Sequence, residues 1–195
     1  MRSSSIAAVF LLCVLCGCKS FQSQSPTAQS ESAPASAKRN VNLPIRNNAL
    51  ALLDDLLNDE KNVSKILLVK HHSDGLAKLI KDISSTAGQG AKMLDEFPKN
   101  EPGLDLRRLD LPPGEMAGRK LISKTKEHLL LSSKDAEFEF QLLLTQSEAL
   151  NYGAHLAMVV ADCETQPERV REFLKLSAQM RDLHERVLAM LRKQS

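Results

Sequence analysis

The sequence lacks a block of charge of one sign: 26 Lys and Arg face 24 Asp and Glu in 195 residues, a formal net charge of +2. Without a dense basic face there is no electrostatic footprint for nucleic acid, and no such partner is expected. Glycine and proline number only eight each and cysteine four, which excludes collagen-like and disulfide-rich classes. Aromatic residues are scarce, 4% with no Trp and one Tyr, yet the 43% hydrophobic content can build a core, so a wholly disordered chain is excluded as well. Long apolar runs are also missing. The run from Ile6 to Cys16 is too short to cross a hydrocarbon layer of about 30 Å at about 1.5 Å per residue, and no second one follows.

What is present at the start reads as an export signal over residues 1–17: Arg2, then polar Ser3-Ser4-Ser5, then the apolar run. That run ends in Leu15-Cys16-Gly17-Cys18. The tetrad resembles the lipobox of bacterial lipoproteins, with Leu three residues before the modified Cys and a small residue just before it. The resemblance implies that Cys18 becomes the lipidated first residue of the mature chain, and Lys19 in place of Asp implies the outer membrane, facing the periplasm. Such a protein is held to the membrane by its acyl chains, at about 0.8 kcal/mol per buried methylene, and does not cross it. Cys13 and Cys16 would leave with the signal, so Cys163 has no partner for an internal disulfide and reads as a small core residue.

Residues 18–46 are rich in Ser, Gln, Ala, Pro and Thr and bury too little apolar surface to offset ordering, so they read as a disordered tether ending in the solvated charges Lys38, Arg39 and Arg46. Residues 47–195 carry helical periodicity. A short amphipathic helix runs through Ala49, Leu50, Leu53, Leu56 and Leu57, and a second is predicted from near Val63 to Phe97. In its middle, Ser84-Ser85-Thr86, Gly88 and Gly90 imply either a bend or the close approach of a neighbour. Four prolines between Pro98 and Pro113 make a loop whose leucines fasten to the core. A third helix is predicted from Pro113 to about Leu131. A fourth follows from about Asp135 to Asp162, capped by Ser132 or Ser133, and a last one from the Thr165-Gln166-Pro167-Glu168 capping box to about Arg192. No segment alternates like a strand. The fold class is therefore all-α, an antiparallel bundle of four main helices plus one short helix.

The pattern Phe138-Glu139-x-x-Leu142 after Leu111-Pro112, followed by Pro167, Phe173 and His184, resembles a family of secreted bacterial proteins with a ferritin-like four-helix domain of unknown function. Val69-Lys70-His71-His72 extends the likeness into the first half. The resemblance implies a ferritin-like bundle in the cell envelope and no particular activity.

Catalytic patterns are missing. No Glu has a His three residues on, which removes the di-iron motif of ferritin-like bundles. There is no Gly-x-Ser-x-Gly elbow, and Gly88-Gln89-Gly90 has neither the strand nor the third Gly of a nucleotide loop. No cofactor is expected. Looser metal candidates are His71 and His72 in one segment and Glu148 with His155, seven apart on one helical face. Charges such as Arg169, Arg171 and Glu172 read as wet surface. The function expected is a membrane-tethered, non-enzymatic bundle that binds or scaffolds an envelope protein partner. The alternative is a metal-binding or metal-dependent ferritin-like protein using His71, His72, Glu148 and His155.

Overall fold

The computed structural model describes residues 35–107 and 110–194, with side chains from position 43 onward except at 135. The export signal, Cys18 and the tether up to 34 lie outside the described residues. Among the described residues all regular structure is helical: α1 Ala35–Glu60, a 3-10 helix Val63–Leu68, α2 Asp74–Asp95, the single turn α3 Phe97–Asn100, α4 Pro113–Ser132, α5 Asp135–Cys163 and α6 Pro167–Gln194.

Helix α1 begins twelve residues before the domain boundary expected at 47, inside the segment read as tether. Ala35, Ala37, Lys38 and Arg39 are good helix formers, so a helix nucleated further on extends through them at little cost. Pro44 rides inside it with the loss of one backbone donor. The packed part still begins where the composition changes. Leu43, Pro44 and Ile45 are exposed, Arg46 is buried, and Leu50, Leu53 and Leu57 are core.

The helix predicted from Val63 to Phe97 is split. Val69 N–H closes onto Ile66 O at 3.2 Å, His72 Nδ1 lies 2.8 Å from Lys70 O, and Ser73 Oγ accepts from Leu76 N–H at 3.4 Å as the cap of α2. Side chains that engage nearby backbone in this way compete with helix continuation, which is why 69–73 is a break. Beyond it α2 runs unbroken through Ser84 to Gly90, and close approach rather than a bend explains the small residues. A Cβ on Gly90 would fall 3.0 Å from Leu57 and 3.3 Å from Leu176.

Four helices enclose the core. α1 lies against α5 with Leu56 beside Gly153 and Arg46 bonded to Glu164. α2 lies against α1 through Gly90 and Leu57, and against α6 through Asp82–Arg186 and the edge-to-face pair Phe97–Phe173, centroids 5.5 Å apart. α5 and α6 close the ring through Ser147–His184, Gly153–Met180 and Glu164–Arg169. Every neighbouring pair is antiparallel in this register. The end of α2 and the start of α5 therefore lie at opposite ends, and the segment 96–134, with α4 inside it, must run the length of the bundle.

This exchanges two expected roles. The short helix read at 47–58 is part of a 26-residue bundle helix, and the helix at 113–132, expected in the bundle, packs outside it against α5 and buries no residue. The apolar residues of α4 are spread around it instead of forming one inward stripe, while Arg119 and Lys126 take the side toward α5. Two caps also differ. Ser133 closes α4, its hydroxyl donating to Leu129 O at 2.7 Å, and α5 starts after Lys134 with no side-chain cap. At the start of α6, Glu164 Oε1 accepts from Thr165 and Gln166 N–H at 2.7 and 3.1 Å, in place of the Thr165–Glu168 box. The loop leucines Leu104 and Leu106 are buried.

Gly153 marks the tightest approach. A Cβ there would lie 2.8 Å from both Leu56 Cδ2 and Met180 Sδ, inside contact distance on two sides. Gly153→Val should lower stability by about 1–3 kcal/mol through overpacking, read as an earlier urea midpoint. An unchanged midpoint would mean that α1 and α6 stand further from α5 than this.

Candidate functional site

The residues singled out in the sequence do not converge. Cys18 lies outside the described residues. His71 is exposed and His72 half-buried in the 69–73 break, the latter held to Lys70 O. Glu148 and His155 do share the outward side of α5. Glu148 is engaged by Lys126, and His155 Nδ1 lies 2.7 Å from Asn151 O. Among the described residues no three His, Cys, Asp or Glu side chains form a group able to hold a metal ion, so the metal reading loses the geometry it needs. Ser147 Oγ lies 2.9 Å from His184 Nε2, a nucleophile-to-base distance, but among the described residues no carboxylate bonds His184 to orient it. Cys163 is half-buried at the end of α5, and burial together with Asp162 pushes its thiol up, away from the reactive thiolate.

The polar groups the structure does bring together are others. At the end of the bundle where α1 packs and α6 begins, Arg46, Glu101, Arg169 and Glu164 alternate in a closed ring. Arg46 bonds Glu101, and its Nη1 lies 3.3 Å from Glu164 Oε2. Arg169 Nη1 lies 3.0 Å from Glu101 Oε2 and 3.5 Å from Glu164 Oε2. Arg169 also stacks over the Phe97 ring at 4.3 Å. The Glu164 side chain is only 1% exposed, so both arginines, read as solvated from the sequence, are neutralised in the interior. Burial pushes the Glu101 carboxyl up, but hydrogen bonds from Arg46 and Arg169 outweigh it and hold the group below its ordinary value.

A second polar contact sits where α1 ends. Glu60 lies against the buried Gln146 of α5, and its Oε2 and Gln146 Oε1 are both buried without a partner. Burial raises the Glu60 carboxyl to about 7, helped by Asp59 and opposed by Gln146 and by Lys126 of α4. Between α2 and α6 lies an open groove of about 540 Å³ lined by Asp82, Lys175, Asp182 and Arg186 among others, a wet surface rather than an enclosed apolar cavity.

Long-range pairing decides these contacts, and sequence spacing carries no signal for it. A near signal exists only at Glu164, a carboxylate just ahead of the α6 start. Comparison with family models, with curated proteins and with solved structures finds no match for the chain.

Proposed function

We propose that the chain is a lipid-anchored protein of the bacterial cell envelope, attached through Cys18 to the outer membrane and facing the periplasm. Its helical bundle acts by binding or scaffolding an envelope protein, without catalysis. The observation that carries this reading is Leu15-Cys16-Gly17-Cys18 at the end of a short apolar run behind Arg2. No helix among the described residues is long and apolar enough to cross a membrane, which is compatible with attachment by lipid. The single long connection between α2 and α5, with every neighbouring bundle pair antiparallel, supports a ferritin-like arrangement. The bundle interior favours a structural module: buried Leu, Ile, Phe and Ala fill it where a ferritin-like enzyme would place carboxylates.

The test is metabolic labelling in a two-membrane bacterium with a clickable fatty acid. The mature protein should carry the label and sediment with outer-membrane density, and Cys18→Ala should lose the label entirely. Label retained in Cys18→Ala, or no label on the natural protein, would defeat the reading.

A further inference from the structure

Helix α4 buries none of its 20 residues, whereas α1, α2, α5 and α6 all feed the core. Its side toward α5 carries Arg119 and Lys126, with Leu130 half-buried against the core. Arg119 donates to Tyr152 Oη at 3.1 Å and to Glu115 at 2.8 Å, and Lys126 pairs with Glu148. Away from α5 one flank of the helix carries exposed apolar side chains. Leu121, Ile122 and Leu129 share that flank, bounded by Lys124 on one side and by Lys126 on the other, with Leu131 beyond Lys124. Leu121 is 65% exposed, Ile122 56% and Leu131 54%. The helix also carries a cationic excess, with Lys120 and Lys124 outward and Arg119 and Lys126 engaged toward α5. α4 holds four cations and two carboxylates, while the rest of residues 35–195 holds 20 cations and 21 carboxylates.

We infer that α4 is an interfacial helix that lays this outward face on an anionic lipid surface. A basic amphipathic helix about 30 Å long matches that role, with Leu and Ile entering the acyl boundary and the long lysine stems carrying their ammonium groups up to the phosphates. A second copy of the chain fits less well. A two-fold interface sets the same patch against itself, so the net positive charge of Lys120, Lys124 and Glu127 would face an equal positive charge on the second copy. Anionic phosphates complement that charge. The surface does not depend on Cys18, because the helix binds through side chains of its own.

The test is hydrogen–deuterium exchange of the full chain alone, with vesicles of phosphatidylcholine, and with vesicles of phosphatidylcholine and phosphatidylglycerol in equal parts. Amides of 113–132 should exchange about tenfold more slowly on the anionic vesicles and unchanged on the neutral ones, with the slowing reversed by salt. The double variant Lys120→Glu/Lys124→Glu and the variant Leu121→Asp should each lose it while keeping the melting temperature, since all three positions are exposed. Cys18→Ala should keep it, so failure of the anchor leaves the inference standing. Exchange that ignores anionic vesicles would overturn it, and so would slowing that follows protein concentration without lipid, the mark of a second copy.

Discussion

Glu164→Ala should destabilise the bundle by about 3–5 kcal/mol, the largest loss anticipated for a single polar residue here. The carboxylate it removes is almost wholly buried, faces Arg46 and Arg169, and accepts from two free backbone donors at the head of α6. Without it two buried guanidinium groups share Glu101 alone, and Thr165 and Gln166 N–H lose their acceptor. Removing one member of such a set leaves uncompensated charge, which is far more damaging than the absence of the whole set. The control is therefore a variant with apolar groups at all four positions 46, 101, 164 and 169, which should recover much of the loss. At a urea slope of about 1–3 kcal/mol per molar, the single variant should unfold roughly 2 M earlier. A shift under about 1 kcal/mol, the size of an exposed pair, would show the ring to be open to water. Acid should act in the same place. The depressed Glu101 carboxyl contributes stability that is present above its ordinary value and lost as pH falls through the lower native one.

Much of the bundle was legible in local spacing. Leu50, Leu53 and Leu57 on α1, and Phe173, Leu183 and Val187 on α6, recur at helical period and are buried, and Pro167 marks the first residue of its helix. Gly90 was legible as either a bend or a close approach, and its contacts with Leu57 and Leu176 decide for the approach. The exchange of roles between α1 and α4 was not. Both mix apolar and polar residues, and which is covered depends on the path of 96–134 across the bundle. The ring was not legible for a related reason. Arg46 and Glu164 are 118 residues apart, and Glu101 and Arg169 are 68 apart. A charged side chain reads as solvated until its partner is known, because burial becomes tolerable only with the pair in place. The histidines show the converse. Spacing placed Glu148 and His155 on one face, but it could not show that Lys126 would occupy Glu148.

Glu60→Gln should remove most of a pH dependence that the natural protein shows between about pH 4.5 and pH 7. A carboxyl whose native value is raised, here from 4.5 to about 7, binds its proton more tightly when folded than when unfolded. Between those values the folded state holds more protons, so stability is full below the unfolded value, falls as pH rises through the window, and levels off above it. A shift of that size corresponds to stability on the order of 3 kcal/mol lost by pH 8. The geometry gives the reason. Glu60 Oε2 is buried without a partner, so an ionised carboxylate there has nothing to replace its lost hydration, and a proton relieves that cost. The neutral side-chain amide introduced by Glu60→Gln avoids that cost at every pH. Asp59 beside Glu60 favours the same protonated state, and Lys126 favours the ionised one but is drawn off by Glu148. Asp54 and Asp59 are also raised, by burial first and then by Asp95 and Asp55 respectively, so a shallower slope of the same sign should survive in the variant. Urea midpoints at pH 4.5, 6 and 8 should coincide for the two proteins at the lowest pH and diverge upward, with the variant more stable. Parallel curves across that range would mean that Glu60 reaches water and that the contact with Gln146 is not closed.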